Sequence, residues 1–264
     1  MPWDLVSSAY TDEVVPAFEA YATDALRLAS PPAGSRIVDV ACGPGTLTML
    51  AAKQGLRVDA IDFSPAMVER FEARRLTLGV SDVTVRVGDG QELPFADRAY
   101  AAAFSMFGLM FFPDRARGFR ELARVLEPGA RAVISSWPSL DDNRVFEAMF
   151  DAIGETVSRL TGAPPRAPVT MPLSTEALCR EEMSASFDDV VVHRIVHTQT
   201  YASPDAMWAS MARTTAPLVM MRRGLGEEVF TAVAEAARAA IARALGGGPA
   251  VMEMPAWVTV GVAR

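Results

Sequence analysis

The first half of the chain alternates short β-rich runs with longer amphipathic ones, a pattern that predicts βα units around a parallel sheet. Candidate strands are residues 36–40 (Arg-Ile-Val-Asp-Val), 57–61, 83–87, 99–106 and 131–136, the fourth of weak β-propensity. Ser64 and Pro65 stand where a helix N-cap and first helical residue belong, with Met67, Val68 and Phe71 as the apolar face and Gly79 as the stop. Phe119, Leu122, Ala123 and Leu126 repeat at helical spacing before Pro128-Gly129. Beyond residue 137 the pattern loosens. A helix is expected over 141–160, a Pro-rich connection over 161–172, a helix near 174–184, a strand over 190–198, two helical segments over about 204–245, and a last strand over 256–262. The second of those segments carries Phe230, Val233, Ala237, Ile241 and Leu245 on one stripe, and Gly246 to Pro249 breaks it.

Composition narrows the function classes. Half of the 264 residues are hydrophobic, enough for one substantial core. Formal net charge is -7 and the arginines are spread out, so no nucleic-acid partner is expected. No run approaches the roughly 18 apolar residues of a membrane span, and Met1-Pro2-Trp3-Asp4 lacks signal-peptide character; a soluble, cytoplasmic protein is expected. With two cysteines, Cys42 and Cys179, and two histidines, His193 and His197, neither a disulfide framework nor a Cys/His zinc cage is available, and no metal is expected.

The chemistry concentrates at Val38 to Thr46, where a buried strand runs into a glycine turn and then a helix beginning near Thr46. Gly43 and Gly45 lack Cβ, so a ligand can lie against the main chain near the positive end of that helix. Counting from Gly43 gives Gly45 and then Thr48, so the third small residue of the dinucleotide fingerprint is missing. Asp62 ends the second strand at a spacing suited to a ribose diol, and Asp89 follows the third, placed to accept a hydrogen bond from an adenine amine. Open α/β sheets bind ligands at the carboxyl ends of their strands, so these groups converge on one extended, adenosine-containing ligand.

Together with Leu93-Pro94-Phe95, Phe104 to Asp114 and Leu126-Glu127-Pro128-Gly129, these segments resemble the class I S-adenosylmethionine-dependent methyltransferases, in the group of the ubiquinone and menaquinone biosynthesis enzymes. The resemblance covers about residues 34–137. It implies an α/β, Rossmann-like three-layer sandwich with a seven-stranded, mostly parallel sheet whose last strand is antiparallel, and helical lid insertions. On this reading residues 1–264 form a single domain: 1–33 a helical cap, 34–137 the cofactor core, 138–173 and 203–248 lid insertions, 174–202 and 249–264 completing the sheet.

Residue by residue, the resemblance places the Ala41 to Gly45 turn on the methionine portion of S-adenosylmethionine, with Asp39 at its base. Asp62 holds both ribose hydroxyls, Phe63 and Met67 flank the adenine, Asp89 and Gly90 read its edge, and Ser105 lies near the reacting methyl. Ala41 departs from the glycine more usual in the family. The implied reaction is in-line methyl transfer to a small-molecule acceptor, apolar or aromatic, with S-adenosylhomocysteine as product. Phe107 and Met110, in a run too apolar for a surface loop, are the candidate acceptor-pocket residues, with Tyr10 and Phe18 closing from the N-terminal helix. Met207, Met211, Met220 and Met221 suit either an adaptable lid or a core. His193 and His197 share one face of a late strand at the sheet margin and are read as satisfied or solvent-facing, and Cys42 as a small turn residue, so no catalytic base is assigned. A noncatalytic S-adenosylmethionine-binding or regulatory protein is the alternative; a nicotinamide-dependent oxidoreductase is disfavoured by Thr48.

Overall fold

The β-rich runs of the first half become β1 (Arg36–Val40), β2 (Arg57–Asp62), β3 (Val83–Val87), β4 (Tyr100–Met106) and β5 (Leu126–Ser136) in the computed structural model, which describes residues 1–164, 171–246 and 248–264. Residues 165–170 of the expected Pro-rich connection, and Gly247 of the expected helix break, lie outside the described residues. With β6 (Phe187–Tyr201) and β7 (Ala250–Ala263) these strands make a seven-stranded sheet in the order β3-β2-β1-β4-β5-β7-β6. Strands β1 to β5 pair in parallel and β7 runs antiparallel to β5. Adjacent residues of a strand point to opposite faces, and Ile37 and Val38 are both fully buried, so the sheet is covered on both sides. That is the three-layer Rossmann-like architecture. The strand order reverses between β1 and β4, which makes the carboxyl ends of those two strands the natural ligand crevice.

The helices are α1 (Ser7–Ala9), α2 (Val15–Ala29), α3 (Thr46–Lys53), α4 (Pro65–Leu78), α5 (Arg115–Val125), α6 (Arg144–Thr161), α7 (Glu176–Ser184), α8 (Pro204–Thr214), α9 (Ala216–Leu225) and α10 (Glu227–Leu245). Ser64 caps α4 by accepting a hydrogen bond from the Met67 N–H at 3.2 Å, and Gly79, at φ +65, ends it. Several elements differ from the expectation. Helix α5 stops at Val125 because Leu126 is already extended and opens β5, so Leu126 belongs to the strand. Where two helical segments were expected over 204–245 there are three, because Pro217 starts a new helix and Gly226, at φ +79, separates α9 from α10. The last two strands also run longer than their patterns suggest.

The chain divides into two compact units. One comprises Val15–Pro138, Pro172–Ile195 and Pro255–Arg264 and contains the glycine turn, Asp62, Asp89 and β1 to β5. The other comprises Met1–Val14, Ser139–Met171 and Val196–Met254. Its core holds Phe230, Val233, Ala237 and Ile241, the stripe expected on α10, packed with Met149, Trp208 and Leu218. Met207 is fully buried in that core and Met211 and Met221 lie against it, whereas Met220 is exposed. His193 and His197 sit on the edge strand β6, half-buried on one face.

Candidate functional site

The site begins at the end of β1. Asp39 is buried and accepts a hydrogen bond from the Thr48 hydroxyl at 2.7 Å. The residue that spoils a dinucleotide fingerprint therefore has a job of its own, tying α3 to the base of the turn. Burial pushes the Asp39 carboxyl up to about 7, the Thr48 hydrogen bond opposes this, and the nearby Asp62 charge adds to it. The turn itself needs glycine twice for different reasons. Gly45 has φ +79, and a Cβ there would lie 2.6 Å from the Phe71 ring. Gly43 has φ +54, but no atom lies within 4 Å of where its Cβ would stand, so this face of the main chain is open to close approach. Cys42 is buried and burial drives its thiol well up from the ordinary range, in keeping with a small turn residue.

Asp62 is fixed by the backbone. Its Oδ2 accepts from the Gly43 N–H at 2.8 Å and its Oδ1 from the Ser64 N–H at 2.9 Å. One carboxylate thus joins the end of β2 to the glycine turn and to the cap of α4. Asp89 is brought alongside by the sheet: Asp62 pairs with Val87 in the β2/β3 register, and the Gly88 N–H donates to the Asp62 carbonyl at 2.9 Å. Asp89 is exposed, whereas Gly90 is buried where a Cβ would meet Phe112 and Val40. Phe63, between Asp62 and Ser64, is 42% exposed, while Met67 is buried in the first turn of α4.

Across the strand-order reversal, the turn after β4 approaches the turn after β1. The Ser105 hydroxyl is buried and accepts from the Leu109 N–H at 3.1 Å, and the Phe107 N–H donates to the Ser135 hydroxyl at 2.9 Å. Ala41, the position where the family more often has glycine, adopts φ +58, and a Cβ on Gly108 would collide with its methyl group. Gly108 itself has φ -105, so packing alone excludes a side chain. Gly108→Ala is therefore expected to lose about 2–3 kcal/mol of stability. Adding Ala41→Gly should restore most of it, since the collision and the left-handed strain of position 41 go together. Denaturant midpoints of the single and double variants measure this, and wild-type stability in Gly108→Ala would refute it.

Phe107 also has a positive φ of +55, and its ring stacks on Trp137 at 4.1 Å. Phe18 and Tyr21 of α2 complete an aromatic cluster, 4.9 and 5.3 Å from the Phe107 ring. Met110 is buried in the following turn. Phe18 and Phe107, chosen from the sequence, are thus brought together. Tyr10 belongs to the unit that contains Met1–Val14, where its ring packs on Trp3 at 6.1 Å. Sequence reasoning passed over Trp137 and Tyr21; the position of Trp137 immediately after a predicted strand was the available signal for the first. Among the described residues no cluster of His, Cys, Asp or Glu suits a metal ion, and no helix is long and apolar enough to cross a membrane.

A doubly covered sheet with a glycine turn and two acids at the carboxyl ends of neighbouring strands defines a Rossmann-like protein. Comparison with known proteins narrows this. Residues 37–129 match the family model described as a methyltransferase domain. A demethylmenaquinone methyltransferase of Corynebacterium kroppenstedtii is 40% identical over 104 residues, 39% of this chain and 42% of that protein. The chain thus spans about two fifths of the length of the curated relatives it matches, as it does for an uncharacterised Mycobacterium tuberculosis protein, 36% identical over 38% of its length. Among solved structures, the YcgJ protein of Bacillus subtilis superposes with TM-score 0.60 at 16% identity, covering 93% of this chain and 98% of that one. Phosphoethanolamine N-methyltransferase 2 of Haemonchus contortus, in complex with phosphomonomethylethanolamine and S-adenosylhomocysteine, superposes with TM-score 0.59 at 17% identity, covering 99% of this chain and 59% of that one. Residues 37–129 of the chain are thus similar to a methyltransferase domain.

Proposed function

We propose that the protein transfers the methyl group of S-adenosylmethionine to a small acceptor that is apolar or aromatic. The observation that carries the reading is the double anchoring of Asp62 by the Gly43 and Ser64 N–H groups, which holds an acid beside a turn whose Gly43 position a ligand can approach closely. These residues fit an adenosyl group joined to an amino acid. Asp62 would accept from the ribose hydroxyls, Asp89 and the Gly90 main chain would take the adenine edge, and the Ala41 to Gly45 turn would take the methionine portion. Phe63 and Met67 would flank the base, with Ser105 on the methionine side. When bound, the cofactor supplies a methyl group already activated by its sulfonium.

The chain's own contribution is then alignment and exclusion of water, effects that reach roughly 7–11 kcal/mol in favourable systems. The rigid hydrogen bonds at Ser105 and Ser135 hold the turn after β4 in place. The half-buried Phe18 and Trp137 rings, backed by the buried Tyr21, Phe107 and Met110, would be the apolar groups within reach of the acceptor. Phosphate or carboxylate acceptors gain nothing from such rings, which is why an apolar or aromatic one is favoured.

Titration calorimetry with S-adenosylhomocysteine, S-adenosylmethionine and NAD tests the first half of the reading: the two sulfur compounds should bind and NAD should not. Incubation with methyl-labelled cofactor and a metabolite extract tests the second, by label appearing in an organic-soluble product. Binding without transfer would leave a cofactor-binding protein that is not an enzyme, and absence of binding would refute the proposal entirely.

A further inference from the structure

Asp89 is exposed, and an exposed carboxylate on a loop ordinarily samples several rotamers, which makes it a poor reader of a base edge. Here its direction is set by one neighbour. The Gln91 N–H donates to Asp89 Oδ1 at 2.8 Å, and the Gln91 side-chain Nε2 donates to Oδ1 at 3.0 Å and Oδ2 at 3.1 Å. The same side chain accepts the Asp114 N–H on Oε1 at 2.7 Å. A main-chain N–H can only donate, so this contact fixes which end of the amide faces which way and commits the NH2 to the carboxylate. Asp114 in turn caps α5, its side chain accepting from the Arg117 N–H at 2.9 Å, so the chain of contacts ends on a rigid helix.

We propose that Gln91 is a positioning residue that sets adenine specificity, holding the Asp89 carboxylate so that it presents its remaining acceptor capacity to an exocyclic amine. This rests on the reading of Asp89 as the adenine partner. A carboxylate only accepts, and Gln91 already occupies both oxygens from one side. What is left suits a donor such as the 6-amino group of adenine and repels the 6-oxo group of hypoxanthine. The far half of the loop is held independently of Gln91. Glu121 accepts from the Leu93 N–H at 2.7 Å, and Arg124 donates to the Leu93 and Phe95 carbonyls at 2.9 and 2.8 Å. Altering Gln91 therefore acts on Asp89 and leaves the rest of the loop anchored.

The test is a comparison of S-adenosylhomocysteine with S-inosylhomocysteine by calorimetry on the wild-type chain, Gln91→Glu and Gln91→Ala. Glu keeps an oxygen for the Asp114 N–H but removes the donor to Asp89 and sets a like charge against it, so it isolates the positioning contact even if Ala loosens the loop. The wild-type chain should prefer the adenine compound by about tenfold or more, and Gln91→Glu should bring that preference below about threefold. A merely structural role would weaken both ligands by the same factor and leave the ratio unchanged; that result overturns the inference while the cofactor reading stands. Equal binding of both ligands to the wild-type chain overturns the role of Asp89 and with it that of Gln91. No binding of either ligand removes the cofactor reading itself.

Discussion

Asp62→Ala is expected to lower affinity for S-adenosylhomocysteine at least about 100-fold. On the proposed geometry two hydrogen bonds from the ribose diol to a charged acceptor are lost at once, and each such bond contributes about 1.5–3 kcal/mol. The same change strips partners from two main-chain donors. Gly43 and Ser64 both direct their N–H groups at Asp62, which is itself 6% exposed, so the variant should also lose about 2–4 kcal/mol of stability. Asp62→Asn separates the two effects. Its one carbonyl oxygen can still serve one of the two N–H groups, so stability should fall less, while the diol loses a charged partner and affinity still drops. Binding must be read below the unfolding transition of each variant. Retention of wild-type affinity by the alanine variant would sink the proposed cofactor geometry.

The candidate cofactor half of the site could be proposed from the sequence because its signals are local. A pair of glycines just after a buried strand, an acid at a strand end, and a Ser-Pro helix start each declare themselves within a few residues. The parts that were missed are those made by distant segments. Nothing near Trp137 announces that Phe107 will adopt a positive φ and stack on it, or that Tyr21 of α2 will meet the same ring. The amide of Gln91 is equally opaque, because its role depends on the Asp114 N–H arriving from another element. Ala41 was read as a mild departure from glycine; its methyl group in fact occupies the volume that Gly108 leaves. Helix boundaries failed where one residue overrode a continuous apolar pattern, as Pro217 does between α8 and α9. Of the fold, the parallel core was readable from β-rich alternation, whereas the length of the edge strand β6 was not, since exposed edge positions carry little pattern.

The second large effect concerns pH and Asp39. This carboxyl is 1% exposed and held up at about 7, chiefly by burial, with the Thr48 hydroxyl at 2.7 Å opposing and Asp62 reinforcing. An unfolded chain ionises the same group near about 3.9. Between those values the folded chain binds more protons than the unfolded one, so stability falls as pH rises and levels off above about 7. Other carboxylates titrate too, and Asp39→Asn isolates this one. The stability of the wild type relative to Asp39→Asn should decline by about 3 kcal/mol between pH 5 and pH 8, measured by denaturant unfolding at each pH. Thr48→Val removes the hydrogen bond that favours the ionised form, so it should extend the decline to higher pH. A wild-type and Asp39→Asn difference that stays flat over this range would mean that Asp39 is ionised throughout, and that something other than Thr48 stabilises its charge at the base of the turn.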